Sequence, residues 1–391
     1  MFSDKDDYSE KCRMRRRHRR IQMRRQHHPN LLSYLGQGIF EAGKMEASSS
    51  SREPEATGPV VGAISIPGRQ RVMEDTISIR PNLCSPEINR CRPVDFFAVY
   101  DGHGGRHVNP THNQLTAVFP IQVASMCKER MHEVLEEELM RMKNNQDTGR
   151  QPLEGQRMEE AWRRVFKSCF LKIDEMASCI CSECGSVGYE CGCPLSVLKL
   201  TGSTAVVVVL TDETIIVANC GDSRAVLSRS GSAIPLSYDH KPDKREERAR
   251  IEARGGRVVF TDGARVEGVL SMSRAIGDNN LKPYITSEPE MTFTKREAED
   301  ECLILASDGL WDVVSSDIAC AVGRECLRQR DPSGNFSSRL SSVEGDSRGA
   351  MFSSRRACSA AALLTRLALG RNSCDNISVI VVDLKTNHSA V

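Results

Sequence analysis

The sequence has few aromatic residues, no long apolar run and almost no net charge. Phe, Trp and Tyr make up 5% of its 391 residues. The longest purely apolar stretch, Ala205–Leu210, is far below the ~20 residues that a membrane-spanning helix needs, so we expect no transmembrane segment. A formal net charge of +1 argues against a chain built as a whole to bind polyanions.

Nucleotide-binding motifs are also missing. The chain contains neither a P-loop of the form GxxxxGK[ST] nor a kinase glycine-rich loop. Those loops hold the phosphates of a nucleotide with their backbone amides. Phosphoryl transfer from ATP or GTP is therefore not indicated.

Cysteine, by contrast, is plentiful, with 16 residues. The N-terminus is polar and then basic, without the apolar segment of a secretory signal, so we expect reduced thiols in a cytosolic or nuclear protein. Five thiols form a CxCxxC…CxC cluster: Cys179, Cys181, Cys184, Cys191 and Cys193. Four thiolates can hold zinc, but this spacing is not that of a standard zinc ribbon, and a redox-sensitive loop is the favoured interpretation.

Composition divides the chain into an arm, one domain and a tail. Residues 1–57 have too few apolar residues to form a core, which is typical of disorder. Their basic run, Lys11–Arg25, has nine Lys or Arg residues and no acid. It predicts a nuclear import signal; a solvated tail or a nucleic-acid contact is the alternative, the latter weakened by the lack of interleaved aromatics. We assign 58–386 to the domain, with a flexible loop at 331–356, and 387–391 to the tail.

Apolar runs within the domain predict strands mixed with helices. Six short runs bounded by Gly, Asp or Asn predict strands: Phe96–Tyr100, Ser203–Leu210, Thr214–Asn219, Ala225–Ser228, Cys302–Ala306 and Ile377–Leu384. Helical spacing and stop signals predict helices over Glu159–Met176, Asp243–Ala253 and Cys358–Leu369. Because strands and helices do not alternate strictly, we predict an α+β layered domain rather than a doubly wound fold.

Acidic residues recur at the ends of these apolar strands, beside Gly or Asn. They are Asp101 in FFAVYDGHGG, Asp222 in ANCGDSRAV, Asp308 in LILASDGLWDVV and Asp375 in CDNISVIVVDL, with Glu74 and Asp75 ahead of the strand-like run Thr76–Arg80. A single Asp-Gly pair is more often a turn than a ligand. The hypothesis of one shared site rests on their joint occurrence.

Gathering carboxylates at one rim of a sheet without cations would cost several kcal/mol in repulsion and desolvation. Mg²⁺ or Mn²⁺ would remove that cost, because carboxylates, carbonyls and water are their preferred ligands. Glycines beside Asp101 would let backbone carbonyls approach a metal closely. The sequence therefore predicts a site that binds divalent metals.

Eight stretches resemble the metal-dependent PPM/PP2C protein phosphatases. In chain order they are MED, VYDGHGG, GSTAVVVVL, NCGDSRAVL, DHKPDKREERARI, GGRVVFTDGARVEGVLSMSRAIGDNNLKPY, ECLILASDGLWDVV and CDNISVIVVDL. Within the family the chain most resembles clade A, the plant group of abscisic acid signalling, and in that group the abscisic-acid-hypersensitive-germination type.

The resemblance implies an α/β–β/α sandwich, with two central antiparallel sheets flanked by helices and a binuclear Mg²⁺ or Mn²⁺ centre at one edge. By the same resemblance the metal-holding residues are Asp101 at both metals, Gly102 through its carbonyl, Asp308 and Asp375 at one metal, Glu74 and Asp75 supporting the other, and Asp222 at a weaker third site. A metal-activated water would attack phosphorus in line, and His103 would be the general acid for the leaving serine or threonine oxygen.

The phosphate-binding arginine of the family has no direct counterpart. The position four residues before Glu74 is Gln70, flanked by Arg69 and Arg71. One step along a strand turns a side chain to the other face. Either arginine would reach the phosphate only through a local bulge; otherwise the affinity for substrate is reduced.

A second departure follows DGHGG. There, removing Asn109–Val123 restores the family pattern as GGRHVASMCKERMHEVL. We interpret these residues as an insertion, such as a retained intron translated in frame, in which Pro110 and Pro120 would break a helix near the metal centre. A tolerated surface loop is the alternative. Together with Gln70, the insertion supports a second hypothesis, a catalytically weak pseudophosphatase that binds and occludes a kinase.

A third departure concerns partners. The resemblance implies SnRK2-type stress kinases as substrates and a negative regulator of abscisic acid responses. The plant group carries a tryptophan after GGRV that inserts beside the ligand gate of the hormone receptors, and Thr261 stands there instead. Because threonine cannot supply a large aromatic anchor, we expect weak or no receptor binding. We also expect a monomer in the nucleus and cytoplasm.

Overall fold

The computed structural model describes residues 59–83, 94–104, 121–146, 156–179, 201–328, 338–339 and 352–385. The basic arm, the cysteine cluster beyond Cys179 and the proposed insertion up to Pro120 lie outside these residues. None of the helices in the described ranges is both long and apolar enough to cross a membrane.

The first of two large sheets is built from strands that are distant in the sequence. Its members are β1 (Val60–Ile66), β7 (Arg224–Arg229), β8 (Ser232–Pro235), β13 (Asp300–Ala306), β14 (Ser338–Arg339), β15 (Phe352–Ser353) and β16 (Ile377–Asp383). Their order is β14-β15-β1-β16-β13-β7-β8. The central strands β13 and β16 pair antiparallel, and nearly every residue in them is buried. Such continuous apolar strands are typical of a sheet covered on both faces.

The second large sheet centres on β3. Its members are β2 (Asp75–Arg80), β3 (Asp95–His103), β4 (Gly202–Ser203), β5 (Ala205–Leu210), β6 (Thr214–Cys220), β11 (Ile276–Gly277) and β12 (Glu290–Lys295). Their order is β11-β4-β3-β5-β6-β12, with β2 also paired to β3. The predicted strand Ser203–Leu210 is divided at Thr204, whose N–H donates to Asp101 O and whose Oγ1 accepts from Asp101 N. A small hairpin is formed by β9 (Val258–Phe260) and β10 (Ala264–Val266).

Helices cover the outer faces of both sheets. The described α-helices are α1 (Ile121–Gln146), α2 (Gln156–Ser178), α3 (Arg245–Ala253), α4 (Asp308–Trp311), α5 (Ser316–Arg328) and α6 (Arg355–Gly370), of which α3 packs against the small hairpin instead. One apolar cluster joins α1 and α2 to the second sheet, and another joins α5 and α6 to the first. The predicted α+β fold of two mainly antiparallel sheets flanked by helices is confirmed.

Alternate side chains of β3 point to opposite faces of the second sheet and so hold the layers together. Phe96 and Tyr100 pack with the helices, whereas Phe97 and Val99 pack between the two sheets. All four side chains are fully buried. Full burial stabilises the fold by roughly 1.5–3 kcal/mol for each of Phe96, Phe97 and Val99, so both faces of this strand hold the sandwich rigid behind the loops at its edge.

The predicted flexible loop at 331–356 is wrong at its C-terminal end. There β15 pairs in parallel with β1, and β14 pairs with β15. Helix α6 begins at Arg355, and Ser354 caps it, with its Oγ accepting from Arg356 N at 3.1 Å. Serine-rich composition misled the prediction because serine is favoured at helix N-caps as well as in loops.

Candidate active site

The acidic strand ends of both sheets meet at one edge of the sandwich. Asp75 and Asp101 are direct neighbours on β2 and β3 of the second sheet. Ser307, at the end of β13 in the first sheet, donates through Oγ to Asp75 Oδ2 at 2.7 Å. Asp308 follows Ser307 directly. One hydrogen bond therefore brings candidate ligands from both sheets together.

Asp308, at the start of α4, and Asp375, just before β16, belong to two segments in close backbone contact. Ser307 N donates to Ser378 O at 3.1 Å, which aligns the end of β13 with the start of β16. A Cβ added to Gly309 would lie 1.8 Å from Asn376 O, so only glycine allows this approach. The DG pair after β13 and the DN pair before β16 thus form one unit.

Asn376 positions the segment that carries Glu74 and Asp75. Its Oδ1 accepts from Glu74 N at 2.5 Å and from Asp75 N at 3.4 Å. Its Nδ2 donates to Pro67 O and Val72 O, each at 3.0 Å. The sequence reasoning missed this residue. The available signal was a second polar residue beside Asp375, at the start of an apolar strand.

Asp222 lies on the turn that passes from β6 of the second sheet to β7 of the first. Its side chain is 1% exposed and forms a very short ion pair with Lys241 Nζ. Burial opposes the charged ammonium, yet the carboxylates of Asp222 and Asp308 raise the pKa of Lys241 above its ordinary value. A lysine that the sequence reasoning did not identify therefore provides a cation near two candidate metal ligands.

The remaining carboxylates raise the pKa of one another. Burial raises the pKa of Asp101 well above its usual range, and the charges of Asp75 and Asp308 add to the effect. Burial raises the pKa of Asp308 in the same way, and the charge of Asp222 adds to the effect. Burial also raises the pKa of Asp75 to about 7, against hydrogen bonds that lower it. These groups lie close enough to repel, which is the condition that a cation relieves.

The donor set suits a hydrated divalent cation. Asp75 Oδ1 and Asp222 Oδ1 are buried without a hydrogen-bond partner among the described residues. Ionised carboxylate oxygens only accept, so such atoms fit a hard cation. Over the same ranges, no three His, Cys, Asp or Glu side chains already form a ligand set. Mg²⁺ usually keeps several waters and binds through one or two carboxylates, so these two buried carboxylate oxygens suit it.

A zinc site is not supported. Of the five clustered cysteines, only Cys179 lies in the described part of the chain, at the end of α2 and half-buried. Carboxylate oxygens dominate the edge that carries Asp75, Asp101, Asp222, Asp308 and Asp375, which we call the acidic edge. Zinc in structural sites prefers thiolate and imidazole ligands.

His103 is paired with a carboxylate that the sequence reasoning did not identify. Its Nε2 lies 2.6 Å from Asp278 Oδ2. Burial alone would lower the pKa of His103, but the Asp278 carboxylate raises it above its ordinary value. A Cβ on Gly202 would lie 2.3 Å from Asp278 Oδ2 and 2.7 Å from His103 Nε2, so glycine is needed beside the pair. The missed signal was the Gly-Asp pair in SRAIGD.

The two candidate phosphate-binding arginines differ in their contacts. Arg69 donates to Ser373 O at 3.0 Å and to Leu369 O at 3.2 Å, so its guanidinium binds carbonyls at the C-terminal end of α6. Gln70 and Arg71 are exposed. Arg71 forms no hydrogen bond or ion pair with any other residue that the structure describes. Among the described residues, the donors of Arg69 are thus engaged and those of Arg71 are not.

Thr261 lies in the turn of the hairpin of β9 and β10, and its side chain is exposed. Its N–H donates to Gly263 O at 3.1 Å and closes the turn. The neighbouring Phe260 is 56% exposed, with the guanidinium of Arg248 6.0 Å from its ring centre. An aromatic side chain is thus present on this hairpin, one position before Thr261.

Known proteins share this sequence pattern. The family model for protein phosphatase 2C matches residues 60–377. The chain is 51% identical over 344 residues to probable protein phosphatase 2C 75 of Arabidopsis thaliana, covering 88% of this chain and 78% of that relative. It is 44% identical over 331 residues to probable protein phosphatase 2C 68 of Oryza sativa subsp. japonica, covering 84% and 79%.

Solved structures share the fold at lower identity. A phosphatase from a pathogenic strain of Toxoplasma gondii aligns with a TM-score of 0.54 and 22% identity, over 84% of this chain and 94% of that one. A sex-determining protein of C. elegans aligns with a TM-score of 0.59 and 22% identity, over 84% and 65%. With the family match spanning the acidic edge and both sheets, the chain belongs to the protein phosphatase 2C family and is a protein phosphatase.

Proposed function

We propose that this phosphatase acts on phosphoserine and phosphothreonine, with two Mg²⁺ or Mn²⁺ ions at the acidic edge and a third near Asp222. The supporting observation is the junction at which Asp75, Asp101 and Asp308 come together from two sheets. Bound there, the metals would supply an activated water and neutralise charge on the phosphoryl oxygens.

The chain's own residues have distinct roles in this proposal. The residues that would hold the metals are Asp101, the Gly102 carbonyl, Asp308, Asp375, Glu74, Asp75 and, for the third ion, Asp222. His103 would protonate the leaving serine or threonine oxygen, with Asp278 stabilising the charged imidazole. Arg71 would bind the phosphate, because its donors are not used elsewhere in the described residues.

The direct test is hydrolysis of a phosphoserine peptide by the full chain with Mn²⁺ or Mg²⁺. We expect turnover that stops on chelation and returns when metal is added back. Equal turnover with and without metal would contradict the metal-dependent mechanism.

An Arg71→Ala variant should raise KM more than it lowers kcat, with Arg69→Ala as the matched control of the same charge change.

In the cell, we propose that the chain dephosphorylates SnRK2-type kinases in the nucleus and cytoplasm and so opposes abscisic acid responses. The sequence resemblance and the basic arm support this role.

Thr261 is exposed on its hairpin, so hormone receptors would find no tryptophan anchor there. Thr261→Trp should make the enzyme more sensitive to hormone-dependent inhibition by a receptor. Strong inhibition of the unaltered chain would contradict the proposed insensitivity.

A catalytically weak phosphatase that mainly occludes a kinase is the second candidate. The favouring observation is that Gln70 replaces the expected arginine while Arg69 is bound to α6. Helix α1 begins at Ile121, directly after Pro120, and Val123 is buried in the core. A variant lacking residues 109–120 therefore removes the proposed insertion up to the helix. Equal phosphopeptide turnover by both forms would remove this candidate's support from the insertion.

A further inference from the structure

The turn that presents Asp278 to His103 has an unusual backbone. Gly277 has φ +84° and Asp278 has φ +50°, so two consecutive residues lie in the left-handed region. A Cβ on Gly277 would lie 2.6 Å from Thr201 O, so glycine is required there. A non-glycine residue in this region costs energy and persists only when its surroundings hold it. The turn therefore needs external support.

That support comes from Asp174 of helix α2, about a hundred residues earlier in the chain. Its Oδ1 accepts from Gly277 N at 2.8 Å. Its two oxygens also accept from Lys282 Nζ at 3.1 and 3.0 Å. The Asp174 side chain is 14% exposed. One carboxylate thus binds both ends of the segment that contains Asp278.

We propose that Asp174 is a positioning residue for catalysis, which together with Lys282 holds the 277–282 turn so that Asp278 stays against His103. This inference rests on the proposed role of His103 as general acid. The Asp174 side chain is hydrogen-bonded to Gly277 and Lys282 and not to His103 or Asp278. It acts through the backbone of Gly277 and the ammonium of Lys282.

Anchoring of α2 does not by itself require Asp174. The helix already buries Trp162, Phe166, Phe170 and Ile173 in the core that it shares with the second sheet. Its Lys172 also bonds to Glu138 of α1 at 2.5 Å. The Glu138 side chain is 11% exposed and so about as buried as that of Asp174. It contacts the same helix through Lys172 but forms no hydrogen bond with the 277–282 turn. It therefore offers a matched control.

The experiment compares two substrates that differ in their need for a general acid. A serine alkoxide is a strong base and must be protonated as it leaves, whereas p-nitrophenolate is a weak base and leaves unprotonated. For Asp174→Ala we expect kcat on a phosphoserine peptide to fall about tenfold and kcat on p-nitrophenyl phosphate to stay within about twofold, because only a small part of the typical 10²–10⁴-fold general-acid effect is lost. KM should not change. Asp174→Asn, which keeps an acceptor for Gly277 N, should retain most of the peptide activity.

Controls separate positioning from general damage. Glu138→Ala should lower the thermal stability without changing the ratio of the two kcat values. Adding Asp174→Ala to His103→Asn should cause no further loss on the peptide, since residues that act through one another are not additive. Equal losses on both substrates, or fully additive losses, would overturn the proposal. Lys282→Met provides a second variant, with the same selective loss expected, if Asp174→Ala does not fold.

The outcomes also distinguish this inference from the proposed function. If the unaltered chain hydrolyses neither substrate with Mn²⁺, the proposed function fails. If it hydrolyses both and Asp174→Ala leaves the ratio of kcat values unchanged, only the positioning role fails.

Discussion

Two groups of buried carboxylates in this molecule have opposite surroundings. Glu247 of α3 accepts from Arg274 at 2.7 Å, from Arg250 at 3.0 Å and from Ser273 Oγ at 2.5 Å. At the acidic edge, Asp101 and Asp308 instead have one another and further acids as electrostatic neighbours. The same type of side chain is therefore surrounded by arginines and a hydroxyl donor in one region and mainly by other acids in the other.

The pKa values reflect this difference. Burial raises the pKa of both kinds of carboxyl, but at Glu247 the bonds from Arg274, Ser273 and Arg250 outweigh it and lower the pKa to about 2. At the acidic edge nothing comparable opposes burial, and the pKa of Asp101 rises well above its usual range. A folded protein keeps uncompensated buried charge mainly where function requires it. We therefore assign Glu247 to the stability of the fold and propose that the acidic edge serves the chemistry.

The largest effect that would test this contrast is on catalysis. Asp308→Asn removes one ligand charge, and we expect kcat/KM on a phosphopeptide to fall by about 10³-fold, since a metal contributes several kcal/mol to stabilising the transition state. Glu247→Gln is the matched control, with activity expected within about threefold. Similar losses in both variants would erase the distinction.

The next effect is on stability. Glu247→Gln leaves two arginines around a neutral side chain, and breaking one partner of a buried ion cluster costs about 3 kcal/mol. Chemical unfolding of the unaltered chain and of Glu247→Gln at pH 7 measures this loss of stability. Glu252→Gln, which breaks the exposed pair with Arg248, is the control, expected to cost less than about 0.5 kcal/mol. Equal costs for the two variants would contradict the structural role of Glu247.

The dependence of stability on pH sharpens the same comparison. The folded-state pKa of Glu247 is about 2 and its ordinary value is 4.5. A lowered carboxyl pKa stabilises the fold above the ordinary value, and this contribution is lost as the pH falls towards 2. We therefore expect the difference in unfolding free energy between the unaltered chain and Glu247→Gln to be largest above pH 4.5 and to shrink below it. A constant difference would contradict the assignment.

The smallest effect is a gain in stability. Without metal, Asp308→Asn should stabilise the fold by about 1 kcal/mol, because it removes one member of a set of mutually repelling buried acids. Unfolding of the chelator-treated protein measures this gain. A loss of stability in the absence of metal would mean that Asp308 supports the fold in its own right.

Much of the fold could be predicted because its signals are local. The apolar runs Cys302–Ala306 and Ile377–Leu384 predicted two strands without knowledge of their partners in the sheet. Helical spacing predicted α2 within a few residues of its ends. Aspartates at the ends of these runs could be assigned to one site because strand ends share a sheet edge. The pairing of β15 with β1 could not be predicted, since a two-residue strand has almost no pattern of its own.

The supporting residues of the site were missed for a different reason. Asn376, Asp278 and Lys241 act through side-chain hydrogen bonds to residues in other segments of the chain. Asp278, for example, meets His103 across 175 residues. A polar residue in a turn has many ordinary explanations, and only the folded arrangement selects among them. Sequence patterns thus located the carboxylates but not the residues that position them.

Binding of Mn²⁺ to the metal-free protein tests the central claim most directly. Calorimetric titration of the unaltered chain, Asp308→Asn and Glu247→Gln would compare the two groups of carboxylates in one experiment. We predict that the unaltered chain and Glu247→Gln bind Mn²⁺ alike and that Asp308→Asn binds it at least about tenfold more weakly, a loss of about 1.4 kcal/mol. Equal Mn²⁺ affinity in all three proteins would contradict a metal site at the acidic edge.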